Sequence, residues 1–189
     1  IVLHVIESAI ENKVIEKPSF IFNMSCGYNL EGIKQEKMQT FIDSMIDSGK
    51  KPLFGEYINE AKAMISDGIF DGSDWEGREE KVLKTLDNIS KNICRSVTVS
   101  TMHGCPPKEI EAICSYLLTE KKLDTFVKLN PTLLGYDTVR KVLDDLGYGY
   151  VVLKRESFEH DLQLADAKAM LHRLVDLAKK EGRKFGVKL

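Results

Sequence analysis

Residues 96–107 read S-V-T-V-S-T-M-H-G-C-P-P. Val97 and Val99 alternate with Thr98 and Ser100, and β-branched residues in a period of two predict a strand. At its carboxyl end come Thr101, Met102, His103, Gly104 and Cys105, a polar tip, and then Pro106 and Pro107. Proline suits the first turn of a helix, where its missing N–H has no partner to lose. The run K-E-I-E-A-I-C-S-Y-L-L then puts Ile110, Ile113, Cys114 and Leu117 on one helical face. A strand thus enters a reactive-looking loop and leaves it through the positive end of a helix. In parallel α/β folds such carboxyl ends gather ligands and chemistry.

Working outward, the same alternation recurs. F-I-F-N-M-S from Phe20 predicts a strand covered on both faces, ending in the loop S-C-G-Y-N-L-E-G. T-F-V-K-L-N-P-T from Thr125 predicts another, stopped by Pro131, and Y-G-Y-V-V-L-K-R near Gly149 a further one. K-F-G-V-K-L at the end predicts a last strand just beginning. Helices are expected over about 1–14, around Met38–Ile46, around Val139–Leu146 and from about Asp161 to Lys180, the last with Leu164, Ala167, Met170, Leu171, Leu174 and Leu177 on its buried stripe. Strands alternating with helices imply parallel pairing. No G-x-G-x-x-G or Walker pattern lies at any strand–helix junction, so the expectation is α/β of the incomplete TIM (β/α)8-barrel type, with five strands visible. Residues 1–189 are expected to form one partial barrel domain, interrupted at about 50–92 by a helical insertion that carries no site and packs around Trp75. Its loop with Asp67, Asp71 and Asp74 lacks the EF-hand spacing and reads as solvated.

Composition narrows the classes. The 189 residues are 43% hydrophobic and 30% charged, with a formal net charge of −2, which gives no footprint for nucleic acid. No apolar run approaches the roughly 20 residues a membrane span needs. Cys26, Cys94, Cys105 and Cys114 form no C-x-x-C pair, and with no signal-peptide pattern at the start a reducing, cytoplasmic setting is expected. The opening at Ile1 and the closing half-strand predict an internal piece of a longer protein. A half barrel also leaves strand edges unpaired, so the expected partners are the remaining domains of the same polypeptide or a second copy joined edge to edge.

The strand ends supply the candidate site residues: Asn29 after the first; Thr101, His103 and Cys105 after the second; Lys128 and Asn130 after the third; Lys154 and Arg155 after the fourth. Lys128 lies inside a buried-looking strand, where a lysine needs an anionic partner. An internal ion pair and a cation facing a bound electron-rich ring fit it equally. His103 and Cys105 have the residue types of a nucleophile and its base, and His103, Cys105 and Cys26 those of a metal site. Cys94 and Cys114 read as packed thiols, and His4, His160 and His172 as surface or core residues.

S-T-M-H-G-C-P-P-K-E-I-E, F-V-K-L-N-P-T-L-L-G-Y and R-K-F-G-V-K-L resemble stretches of the selenate reductase flavin and iron–sulphur subunit family, over nearly the whole chain. More distantly, the segment resembles the FMN-binding barrel of dihydropyrimidine and dihydroorotate dehydrogenases. The resemblance implies an oxidoreductase, with a small-molecule substrate, FMN at the complete barrel, and FAD and [4Fe–4S] clusters in other domains; this segment alone is expected to hold none. C-G-Y-N puts Asn29 where those barrels have a flavin- or substrate-contacting asparagine, and K-L-N-P puts Lys128 where they have a lysine near the flavin N1. Their acid–base cysteine corresponds to Thr101, an asparagine to Thr98, and the T-N-T strand end to V-L-K-R around Lys154. The candidate catalytic residues are therefore Cys105, His103 and Thr101, and the cofactor-binding ones Lys128, Asn29 and Asn130, with no metal. A cofactor-free barrel acting as a scaffold between redox domains is the rival reading.

Overall fold

The computed structural model describes residues 22–189, so the helix expected over 1–14, the start of the first strand and His4 lie outside the described residues. The sheet has four parallel strands in chain order: β1 (Asn23–Cys26), β2 (Ser96–Ser100), β3 (Asp124–Lys128) and β4 (Phe185–Lys188). Its helices are α1 (Leu30–Lys34), α2 (Glu36–Ile46), α3 (Pro52–Ser66), α4 (Glu79–Asp87), α5 (Pro107–Thr119), α6 (Tyr136–Asp145), α7 (Arg155–Glu159) and α8 (Leu164–Lys180). The fold is α/β with parallel strands alternating with helices, and among the described residues it presents four of a barrel's eight strands. None of the described helices is long and apolar enough to cross a membrane.

The described chain divides into two compact units, one of residues 22–40 with 94–189 and one of residues 41–93. The first holds the sheet. Register places Met24, Val97 and Thr125 side by side, and Cys26, Val99 and Val127 likewise, so these residues share one face. That face is buried against α5 and α8, whose own inner residues are Ile110, Ile113, Cys114, Leu117 and Leu118 on one helix and Ala167, Met170, Leu174 and Ala178 on the other. Leu164, expected on this stripe, is exposed, because the helix starts there and its first turn overhangs the core. The other face carries Asn23, Ser25, Thr98, Ser100, Phe126, Lys128 and Lys188. It is knitted by polar contacts: Asn23 Nδ2 donates to Thr98 Oγ1 at 2.7 Å.

Gly186 belongs to that polar face, and a Cβ there would lie 2.6 Å from Phe126 Cδ1. The strand β4 can approach β3 only because this side chain is absent. Gly186→Ala is expected to cost about 1–3 kcal/mol, as overpacking does, read as faster amide exchange in β3 and β4. Unchanged exchange would mean that Phe126 swings away freely.

Residues 149–155 are not a strand, and Lys154 and Arg155 do not end one. β3 pairs directly with β4, Thr125 opposite Phe185, so the edge that a strand here would need is taken. The backbone is satisfied differently: the Arg140 guanidinium donates to the carbonyls of Tyr148 (3.0 Å) and Val151 (2.5 Å). Val152 is 88% exposed, Lys154 precedes α7, and Arg155 opens it with its guanidinium 4.0 Å from the Tyr136 ring centroid.

In the unit of residues 41–93, Ile65, Val82, Leu86 and Ile89 form a buried cluster, with Trp75 and Phe70 packed on it at a ring separation of 5.9 Å. The two chain segments that bound it meet: Ser48 N–H donates to the Lys91 carbonyl at 2.9 Å, and Ile93 N–H to the Met45 carbonyl at 3.0 Å.

Candidate functional site

The loop after β2 turns tightly because Gly104 takes a φ of +75°, a conformation that costs a residue with a Cβ. Cys105 N–H closes the turn on the Met102 carbonyl, and Pro107 begins α5. This geometry aims the Gly104 N–H at Asp161 Oδ1, 3.1 Å away. Asp161 lies between α7 and α8, in the turn that the sequence reading assigned to the start of the long helix.

Asp161 is the hub of the site. Its side chain is 4% exposed, and everything around it donates. Thr132 Oγ1 meets Oδ2 at 2.5 Å, Asn130 Nδ2 meets it at 3.1 Å, and the Leu162 N–H also points at the carboxylate. His103 Nδ1 stands 3.2 Å from Oδ2. Burial pushes the carboxyl up, but these donors outweigh it and hold the Asp161 carboxyl below its ordinary range. Sequence reading missed this residue, since E-H-D-L-Q-L has no local feature that distinguishes it from a helix start. A carboxylate whose four donors come from 104, 130, 132 and 162 becomes visible only in three dimensions.

The six candidates fall into three places. Asn29, His103 and Cys105 line an open cleft of about 740 Å3 with Lys34, Met102 and Glu109. There Asn29 caps α1, its Oδ1 accepting from Gly32 N–H at 2.8 Å, which leaves Nδ2 to the cleft. Thr101 and Asn130 instead border a void of about 10 Å3 beside Asp161, no larger than the smallest space a water needs. Thr101 Oγ1 donates to the Lys128 carbonyl at 3.0 Å. Lys128 is exposed rather than buried, because the strand ends there and its side chain leaves by the polar face. Among the described residues no acceptor or carboxylate meets its Nζ. Lys188 is its neighbour in register.

Burial pushes the Cys105 thiol up, and the negative charges of Glu109 and Asp161 push it further. At neutral pH it is a thiol. The base that a Cys–His nucleophile needs has its Nδ1 turned to Asp161. Cys105 is therefore expected to alkylate with iodoacetamide more slowly than free cysteine at pH 7, read by peptide mass spectrometry; faster alkylation would restore the nucleophile. Cys26 belongs to the helix-covered face, its thiol raised by burial to about 11. Among the described residues no group of three or more His, Cys, Asp or Glu side chains is arranged to hold a metal ion. Cys94 and Cys114 are buried free thiols, and His160 and His172 are exposed.

A parallel sheet with helices on one face, polar side chains on the other and a cluster of polar loops at its carboxyl end defines a TIM-barrel type of domain. The whole chain, residues 1–189, matches the family described as the N-terminal TIM-barrel domain of oxidoreductase YgfK, and it belongs to that family. Two curated relatives bear the name "Putative oxidoreductase YgfK", from Escherichia coli strain K12 and from Escherichia coli O157:H7; each is 52% identical over 188 residues, 99% of this chain. The chain spans 18% of the length of those relatives. No solved structure matches it.

Proposed function

We propose that this domain is the barrel portion of a multidomain flavin and iron–sulphur oxidoreductase, resembling selenate reductase subunits, and that it binds a flavin or a small electron-rich substrate at the carboxyl ends of its strands. The observation that carries this reading is Lys128: a cation at the end of β3 whose Nζ has no partner among the described residues, with Lys188 beside it in register. Two like charges side by side repel unless something electron-rich lies against them. An FMN bound there would supply the one- and two-electron chemistry. Lys128 would counter negative charge on the reduced ring, and Asn29 Nδ2 would face the cleft as a donor. The fit is partial, since Thr101 and Asn130 are occupied within the domain. FAD and [4Fe–4S] clusters belong, in this reading, to the other domains of a longer polypeptide in the reducing cytoplasm, in keeping with the four free cysteines.

The test is cofactor extraction from the full-length protein. Both FMN and FAD are expected, and Lys128→Met is expected to lower FMN occupancy about tenfold or more, equivalent to about 1.4 kcal/mol, while leaving FAD unchanged. FAD alone, in wild type and variant, would overturn FMN binding here and leave the barrel as a scaffold. One observation favours that second reading: Thr101, at the place of the acid–base cysteine of the pyrimidine barrels, has its hydroxyl committed to a backbone carbonyl.

A further inference from the structure

We propose that Asp161 is a positioning residue that holds His103 with the proton on Nδ1, so that Nε2 is presented to the cleft as an acceptor for an N–H or O–H of the bound ligand. The inference rests on the reading that the cleft lined by Asn29, His103 and Cys105 is the site.

The carboxylate accepts from Thr132, Asn130, Gly104 and Leu162. Its oxygens are anionic. An unprotonated Nδ1 lone pair 3.2 Å from Oδ2 would be repelled, so neutral His103 keeps its proton on Nδ1. The other ring nitrogen then carries the lone pair. Among the described residues Nε2 has no partner, and His103 lines the cleft with half of its side chain exposed. The ring has a buried anion behind it and is open in front, and a carboxylate so placed orients an imidazole and makes its free nitrogen electron-rich. A ligand suited to it offers a ring or amide N–H, or a hydroxyl. If that hydrogen is transferred, it passes to Nε2, the bonding pair stays on the ligand, and the imidazolium faces the Asp161 charge.

Diethyl pyrocarbonate, which attacks the unprotonated nitrogen of histidine, reads this directly in the full-length protein when the products are mapped by peptide mass spectrometry. In the wild type His103 is expected to react faster than N-acetylhistidine although half covered, whereas a passive, half-covered ring reacts more slowly. Asp161→Asn is expected to slow His103 about tenfold, by analogy with the loss in affinity or activity when the carboxylate behind a metal-ligating histidine is removed. His160 and His172 should keep their rates, and Asp161→Glu should recover part of the loss. A wild-type His103 slower than N-acetylhistidine, or a rate unmoved by Asp161→Asn, overturns the proposal. If that variant unfolds, all its histidines react at the free rate and the wild-type comparison decides. The rates are read after the flavin has been extracted, since a ligand in the cleft would cover Nε2, so failure here and failure in the cofactor extraction are separate results.

Discussion

Asp161→Ala is expected to destabilise the sheet-bearing unit by about 3–5 kcal/mol, the range found when one member of a buried charged network is removed. The substitution leaves the Gly104 and Leu162 N–H groups, the Thr132 hydroxyl and the Asn130 amide without the acceptor they share. Because the loops after β2 and β3 meet at this carboxylate, the loss should appear first as faster amide exchange in residues 101–105 and 130–134 of the full-length protein, at denaturant concentrations where β2 is still protected. A change below 1 kcal/mol would mean that water replaces the carboxylate. The pH dependence has a definite sign. The folded carboxyl lies below its unfolded value, so its contribution is present above the unfolded value, about 3.9, and is lost as pH falls through the lower folded one. The same loop peptides should therefore loosen on acidification below about pH 4 in the wild type, and not further in Asp161→Ala.

Leu117→Ala is the second large effect, expected at about 2–5 kcal/mol. Leu117 is 0% exposed in α5, the helix that packs against α8 and against β2 and β3. These elements are held in the sheet unit, so collapse around the missing carbons is limited and the cavity persists. Slower unfolding of the variant than of the wild type in pulse proteolysis, or equal rates, would contradict this packing.

The β2–loop–α5 passage was legible because each of its signals is local: the Val97/Val99 alternation, Pro107 at the first helical position, and Ile110, Ile113, Cys114 and Leu117 in one stripe. β3 was legible for the same reason. Residues 149–155 were not, since an apolar run of that length does not reveal whether a sheet edge is free to receive it. Here β4 holds the edge and Arg140 takes the carbonyls. Lys128 illustrates a subtler limit. Alternation correctly set it opposite Val127 and Leu129, both buried, but the exposure of its own face depends on what stands across from the sheet. Asp161 was invisible because its meaning lies in partners distant along the chain, whereas Asn29, His103 and Cys105 announced themselves by following strands.

The paired hydrogen bonds that join Ser48 to Lys91 and Met45 to Ile93 have a bearing on where this chain can be altered. A polypeptide that leaves and returns through one doorway can gain or lose length beyond it at little thermodynamic penalty, since closing a loop twice as long costs only about 0.6 kcal/mol more. Within residues 49–90, the exposed residues 71–74 are thus where an insertion or a grafted reporter would be tolerated, whereas the helices that carry Ile65, Val82 and Leu86 would not accept one. The handle for tethering or imaging this protein is already drawn there.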